Sequence, residues 1–365
     1  MATTGEQEFT LDSAAEIAAA EGGGSRIQGR SPWVLAGRRL RRNWVALAFL
    51  ALLVVVVTCC LLASVYADHV SHIGPDTTNL NGTITVNGHT VDVVSNGGVV
   101  TLPNGQVTVK PAGVPIGPQW FSAGGQYVLG ADQLGRDIAT RLLYGGRNSL
   151  FVGAVSAAIC TALSVILALL AGYFGGVVDW IITRIFDLIW AFPVILLGIA
   201  LGTALSVDGF HHFGLNIDGS SLWIPTAVIS YVFIPYIGRP LRGQVLALRQ
   251  KEFVEAATAQ GAGSIRIMAS ELLPNIASSV LVLFTLIVAN TILTEAALSF
   301  LGAGVQPPNP SWGTMIQDGS QVLATDPWLS LFPGIAIVLI VLSLNVFGDG
   351  LRDALDPRAK VRIEH

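Results

Sequence analysis

The hydrophobic pattern of this chain is dominated by six long, nearly uncharged apolar runs. Each run has about 20 residues or more, the length that an α-helix needs to cross the hydrocarbon core of a bilayer. The runs cover residues 44–66, 149–173, 184–205, 222–246, 276–302 and 327–347. The pattern therefore predicts an all-α polytopic membrane protein with six transmembrane helices.

Composition supports a membrane protein. Of the 365 residues, 52% are hydrophobic and only 12% are charged, with a mean hydropathy of +0.62, whereas soluble domains carry about 25% charged residues. The net charge of -4 and the scattered basic residues argue against a nucleic-acid partner. The first 42 residues lack the apolar core and cleavage site of a secretory signal peptide, so we expect a cytoplasmic tail and a retained first span.

The distribution of Lys and Arg predicts the orientation, because basic residues are retained on the cytoplasmic side of a membrane. With the N-terminus inside, 16 of the 20 basic residues fall in the cytoplasm, and so do both termini. The expected regions are a cytoplasmic tail (1–42), a first transmembrane helix (43–66), an extracytoplasmic segment (67–148), a five-helix core (149–350) and a cytoplasmic C-terminal tail (351–365).

The extracytoplasmic segment contains a stretch in which Thr and Val alternate around Asn-Gly pairs, at about 77–125. Such pairs are typical of the tight turns of β-hairpins. We expect a small β-rich insertion between the first two transmembrane helices. The alternative is a flexible polar loop.

The common catalytic signatures are missing from the sequence. None of the three lysines, Lys110, Lys251 and Lys360, follows a glycine as a Walker A loop requires. The metal, redox and hydrolase motifs H-E-x-x-H, C-x-x-C and G-x-S-x-G are also missing. We expect a chain that is not an enzyme and that holds no cofactor, metal or catalytic residue of its own.

Ionisable residues are scarce inside the apolar runs, and Glu295 is the one that stands out. A carboxylate within a span is costly and commonly has a function. Glu295, with Ser299 one turn later, is a candidate gate or pathway pair. The alternative, which we favour, is an interfacial carboxylate bonded to a neighbouring helix.

A polar segment, residues 251–275, interrupts the apolar runs and lies in the cytoplasm in the predicted orientation. Its first part has helical spacing, Gly261 and Gly263 break it, and Ser264 is a suitable cap for a second helix. Pro274 marks the start of the fifth span. We expect a helix-turn-helix with a patch of small side chains that another surface can approach closely.

This segment resembles the EAA loop of the permease subunits of bacterial ABC importers, which docks into a groove on the ATPase. The match is carried by Glu255, Ala256, Ala257 and Gly261, and at the end of the loop by Leu273 and Pro274. The resemblance implies that the residues that dock the ATPase are Glu255, Ala256, Ala257, Gly261, Glu271 and Pro274. Glu271 departs from the family pattern, in which peptide permeases often have His.

Further motifs resemble the C-type subunits of dipeptide, oligopeptide and nickel permeases, from about residue 31 to 358 apart from the β-rich insertion. They include "LGADQLGRDIATRLLYGGRNSLFVG", "FDLIWAFP", "TEAALSFLGAGVQPPNPSWG" and "FGDGLRDALDPR". The first contains an outer-face family motif, in which Ala131 replaces the usual Thr. Its residues are Leu129, Gly130, Asp132, Gly135, Arg136 and Asp137. Asp132, Arg136 and Asp137 either form an internal ion-pair cluster, which we favour slightly, or contact a partner.

The resemblance implies a subunit of a bacterial cytoplasmic-membrane importer that forms half of a translocation pathway. Its partners would be a homologous second permease, two ABC ATPase subunits that bind ATP and Mg, an extracytoplasmic substrate-binding protein, a peptide substrate and membrane lipid. A nickel-complex importer is the alternative within the family, although the outer histidines show no ligand spacing. A membrane receptor or scaffold that displays the β insertion is the alternative from a different class, and a secondary transporter is a third.

Overall fold

The computed structural model describes residues 32–86, 88–101, 107–120, 122–211, 214 and 216–355. Most of the predicted cytoplasmic tails, residues 1–31 and 356–365, lies outside the described residues. The α-helices within the described residues are α1 Pro32–Arg42, α2 Trp44–Leu61, α3 Ala63–Tyr66, α4 Ile138–Phe174, α5 Gly176–Trp190, α6 Val194–Asp208, α7 Trp223–Arg249, α8 Glu252–Ala259, α9 Ser264–Arg266, α10 Leu273–Phe300, α11 Trp312–Ser320 and α12 Trp328–Leu355. Two π-helical turns, Ala67–Ser71 and Ile267–Leu272, extend α3 and join α9 to α10.

Four of the described helical stretches are long and apolar enough to cross a membrane: α2, α4, Ser264–Phe300 and α12. A fifth is possible if α5 and α6 form one span, and these two helices meet at an angle of 87°. The sequence predicts a single spanning helix over 184–205 here. The break falls at Pro193, which cannot donate a backbone hydrogen bond within a helix.

The remaining predicted span corresponds to α7, which falls short of the hydropathy of a span. Prolines, tyrosines and Arg239 lower its hydropathy, and more than half of its 27 residues are buried inside the bundle. A helix that is enclosed by other helices does not need an apolar surface all round. The count of spans from length and composition is therefore four to five, compared with the six predicted.

α7 packs along α4 at the centre of the bundle. Ser164 Oγ of α4 donates to the Ile234 carbonyl at 2.8 Å, and Ser230 Oγ of α7 donates to the Ser156 carbonyl at 3.3 Å. α10 lies against the other side of α4, where Thr291 Oγ1 donates to the Gly153 carbonyl at 2.8 Å. Small side chains and interhelical hydroxyl bonds of this kind allow helices to approach closely in a membrane.

Residues between α3 and α4 form two antiparallel two-stranded sheets, β1–β2 and β3–β4. The strands are β1 Thr83–Val86, β2 His89–Asp92, β3 Val94–Thr101 and β4 Val107–Pro115. β1 pairs with β2 from Thr83 opposite Asp92 to Val86 opposite His89, and a bulge between Val94 and Asn96 shifts the β3–β4 register. A small core that includes Ile84, Val93, Ile116 and Tyr127 joins the strands to the chain before α4.

Candidate functional site

The polar segment 251–275 forms a helix-turn-helix in the structure. α8 begins after Lys251 and carries two acidic residues in its first turn, Glu252 and Glu255, where carboxylates complement the helix dipole. The turn after α8 has Gly261 in a left-handed conformation with φ 79°. The Ala262 amide donates to the Ala257 carbonyl at 3.0 Å, which ties the turn back to α8. Glycine suits position 261 because a side chain is strained at this φ.

The second half of the segment differs from the prediction at Ser264. Gly263 holds the N-cap position of α9, and no side chain caps this helix. Ser264 is instead the first helical residue, because the extended Gly263 backbone already begins the turn. Pro274 lies in the first turn of α10, where its missing amide donor costs little, so the helical path continues from Ser264 to Phe300.

An apolar cluster fixes the helix-turn-helix to the bundle. Val254 from α8 and Ile267 and Leu272 from the π-helical turn are all buried. They pack with Leu169 of α4, Val245 of α7 and Ile276 of α10. The segment is therefore attached to three long helices at once.

The opposite face of the segment is open. Glu255 and Ala256 are exposed and Ala257 is half-buried, so the predicted small-residue patch lies at the surface beside a carboxylate. Ile265 is 79% exposed and Phe253 36% exposed. Apolar side chains of this size beside small residues are typical of a surface that a partner protein covers.

A cleft of about 650 Å³ lies between this face and the end of α4. Glu255, Thr258 and Ser264 line one side, and the aromatic pair Tyr173 and Phe174 lines the other. Such a cleft beside an exposed carboxylate is large enough to accept a side chain from a partner.

Glu271 and Pro274 lie away from this cleft. Glu271 is half-buried in the π-helical turn, and its carbonyl accepts a 2.6 Å hydrogen bond from the Asn275 side chain. Pro274 is exposed at the start of α10. The predicted docking residues therefore fall into two groups on the segment: Glu255 to Gly261 in one, and Glu271 with Pro274 in the other.

The family motif before α4 forms a compact turn. The Gly130 amide donates to the Tyr127 carbonyl, its carbonyl accepts from the Ile138 amide, and Leu129 beside it is half-buried. Gly135, with φ 72°, packs so closely that a Cβ would lie 2.3 Å from the Asn79 carbonyl oxygen. A glycine is required there for the motif to contact the residues that lead into β1.

An ion cluster stands on this turn, but its members differ in part from those predicted. Arg136 Nε lies 2.6 Å from Asp132 Oδ2. Asp137 is not part of the cluster: its carboxylate caps α4 by accepting from the Ala139 amide at 2.9 Å and the Thr140 hydroxyl at 3.1 Å. Burial raises the pKa of Asp137 to about 6.

Three members of the ion cluster were missed by sequence reasoning: Asp318, Arg141 and Asp76, whose carboxylate lies 3.7 Å from the Arg141 guanidinium. Asp318 of α11 lies 3.2 Å from the Arg136 guanidinium, and the buried Arg141 lies 3.7 Å from both Asp132 and Asp318. Arg141 also donates to the Pro75 carbonyl at 3.2 Å. The spacing of Asp132 and Arg136, four residues apart, was a usable signal; nothing local points to Asp318, which is 182 residues from Arg136.

Glu295 and Ser299 lie inside the bundle and both are fully buried. Ser299 Oγ donates to Glu295 Oε1 at 2.7 Å and accepts from the Val305 amide at 2.9 Å. Ser149 of α4 and Ser311, which caps α11, lie beside the carboxylate. The pair thus joins α10, α4 and the loop before α11 in an interhelical contact.

Comparisons with known proteins give a consistent result. Residues 164–361 match the family described as binding-protein-dependent transport system inner membrane component, and residues 31–84 match the N-terminal TM domain of oligopeptide transport permease C. The chain is 36% identical over 330 residues to the dipeptide transport system permease protein DppC of Alkalihalophilus pseudofirmus, covering 90% of this chain and 91% of the relative.

Two further similarities come from a shorter relative and a solved structure. The glutathione transport system permease protein GsiD of Pectobacterium atrosepticum is 41% identical over 232 residues, covering 64% of this chain and 73% of that protein. A solved structure of the MetNI methionine ABC transporter in inward-facing conformations is 18% identical with a TM-score of 0.47, covering 59% of this chain and 96% of the solved chain.

Proposed function

The chain belongs to the family of binding-protein-dependent transport system inner membrane components, and from this membership we propose that it is the permease subunit of an ATP-driven importer of di- and oligopeptides. One observation carries the proposal at the level of mechanism. The helix-turn-helix segment has one face fixed to α4, α7 and α10 and the other face open. An ATPase bound to the open face could therefore move these three helices through the segment.

The proposed topology has six spans, with α7 as the fourth and α5 and α6 together as the third. An enclosed helix of 27 residues is long enough to cross the bilayer even though its composition is less apolar than that of the others. Both termini and the helix-turn-helix segment then lie in the cytoplasm. The β strands, the family motif and the ion cluster lie outside.

The proposed partners are a second, homologous permease, two ATPase subunits and an extracytoplasmic substrate-binding protein. The partner ATPases would bind the ATP and Mg²⁺, and Glu255, Ala256, Ala257 and Gly261 would dock one of them. Closure of the ATPases would move the docked segment. The segment would move the inner ends of α4, α7 and α10 by rigid-body motion and switch access from outside to inside.

Peptides are the proposed substrates because the relatives with high identity are named for dipeptide and glutathione transport. A nickel complex remains the alternative within the family. Among the described residues, no group of three His, Cys, Asp or Glu side chains is close enough to hold a metal ion. A receptor or scaffold role is not favoured, because it gives no reason for the helix-turn-helix segment.

The test uses the reconstituted four-subunit transporter with its binding protein. Glu255→Lys reverses the docking charge, and Ala256→Trp adds bulk at an exposed position without backbone strain. Both variants should reach the membrane and keep the helix content, yet lose peptide uptake and peptide-stimulated ATP hydrolysis. Asp208→Lys is the matched control, since it reverses an exposed carboxylate at the far end of α6 and should leave both rates unchanged.

Full uptake by Ala256→Trp would contradict the docking role of this face. Uptake that persists after ATP is depleted and that follows a proton gradient would contradict the importer mechanism altogether.

A further inference from the structure

A second cavity, of about 670 Å³, lies on the membrane side of the bundle between α2 and α4. Its walls are almost wholly apolar and come from α2, α4, α10 and α12. They include Leu53, Val57, Phe151, Val288 and Leu344. We call this cavity the α2–α4 slot. Its volume is within the range of small-molecule sites, about 300–1,000 Å³.

One end of the slot carries a cation. Arg147 lines the mouth, and its guanidinium lies 4.8 Å from the centre of the Tyr144 ring. Among the described residues, no carboxylate lies within 4 Å of this guanidinium, whereas Arg141 of α4 and Arg239 and Arg242 of α7 each pair with an aspartate. The neighbouring Asn148 is already occupied, because its side chain donates to the Pro310 carbonyl at 2.8 Å.

Aromatic residues mark the level of this mouth. Trp223 is the first residue of α7, is 51% exposed, and packs edge-on against Phe151 with ring centres 5.7 Å apart. Exposed Trp at a helix end is typical of the interface between hydrocarbon and head groups. Arg147 is also level with the end of α2, because Cys60 lies against Gly146. The slot thus runs from the interface, at Arg147, toward the membrane interior, at Leu53.

We propose that the α2–α4 slot holds one phospholipid of the outer leaflet, with an acyl chain along the apolar walls and the phosphate on Arg147. The assignment to the outer leaflet rests on the topology of the proposed function. Charge complementarity selects the occupant: an apolar partner helix would leave Arg147 unpaired at the mouth, whereas a phosphate accepts from its guanidinium. A free phosphate ion would leave the apolar length of the slot unfilled.

A second groove on the membrane face provides an internal comparison. It has about 530 Å³, is lined by residues of α12 and the loop before it, among them Leu331, Gly334 and Val338, and its lining holds no Lys or Arg. It is as apolar as the slot but lacks the cation. Ordinary exchanging lipid is expected there.

The test counts phospholipid molecules on the purified, delipidated transporter complex by native mass spectrometry during a titration with phosphatidylglycerol. Arg147→Gln should weaken the tightest binding step about fivefold, the effect of one basic residue near a membrane surface. Ala154→Phe, which fills the slot from α4, should abolish this step. The controls Arg184→Gln, which removes an arginine that also lies over an aromatic ring, and Gly334→Phe, which fills the comparison groove, should leave it unchanged.

Each other outcome overturns the proposal. If Arg147→Gln weakens the tightest lipid-binding step and Ala154→Phe does not, the protein attracts only the head group. An effect of Ala154→Phe alone would mean a purely apolar pocket. No tight step in the wild-type complex would mean that the second permease covers the slot. The lipid count needs neither ATP nor peptide, so it fails or succeeds separately from the uptake test of the proposed function.

Discussion

Ile265 and Ile267 are the same residue type, two positions apart in the helix-turn-helix segment, with opposite surroundings. Ile267 is 1% exposed in the cluster with Leu169 and Val245, whereas Ile265 is 79% exposed. We expect Ile267→Ala to loosen the attachment of the segment to the bundle. Ile265→Ala should leave this attachment intact.

The magnitude follows from the burial. Replacing a fully buried isoleucine with alanine costs about 3 kcal/mol, from lost transfer free energy and the cavity that remains. The same substitution at an exposed position changes the free energy of unfolding by no more than about 0.5 kcal/mol. Because about 1.4 kcal/mol is a factor of ten in an equilibrium constant, Ile267→Ala should raise the local opening of the segment about a hundredfold.

The assay is amide hydrogen exchange on peptides that cover residues 252–276, measured on the permease chains purified without the ATPases. This choice separates attachment from docking. With the ATPases added, Ile265→Ala should reduce their retention, since this side chain is part of the open face. Equal exchange in Ile267→Ala and the wild-type chain would refute the view that the cluster holds the segment.

Two further predictions concern the backbone turn and the α4 cap. Gly261 has φ 79°, and a Cβ built there has no atom within 4 Å. Gly261→Asn should be tolerated while Gly261→Val should cost about 1–2 kcal/mol of stability, because Asn adopts left-handed conformations far more readily than Val. Thermal unfolding midpoints measure the difference, and equal midpoints for the two variants would exclude backbone strain. At Asp137, burial raises the pKa from 3.8 to about 6, so the folded chain holds the proton more tightly than the unfolded chain. Stability should therefore fall by at most about 3 kcal/mol as pH rises from 4 to 6. Asp137→Asn should remove this part of the pH dependence, which thermal unfolding midpoints measure. If the midpoints of the wild-type chain and the variant differ by a constant amount from pH 4 to 7, the burial of the carboxyl is contradicted.

The sequence predicted those features that depend on local patterns. The helix-turn-helix, the glycine at its turn and the apolar runs of α2, α4, α10 and α12 follow from residues close together in the chain. The family motifs predicted the function class, which the family membership confirms.

The features that the sequence did not predict depend on contacts between distant residues. Asp318 joins the ion cluster only because α11 packs back against the start of α4. Asp137 was assigned to the ion cluster although its position directly before α4 is that of an N-cap, a signal that was available in the sequence.

The 37-residue helix α4 is about 55 Å long at 1.5 Å per residue. Arg141 of the ion cluster lies near one end, and Leu169, which holds the helix-turn-helix, lies near the other. Suppose that a protein bound at the Arg141 end changes the affinity of α4 for a protein at the Leu169 end by some factor. The protein at the Leu169 end must then change the affinity for the protein at the Arg141 end by the same factor. In the proposed assembly, a loaded binding protein that tightened the binding of the ATPases would itself be held more tightly by them, and the factor could be measured from either side of the membrane.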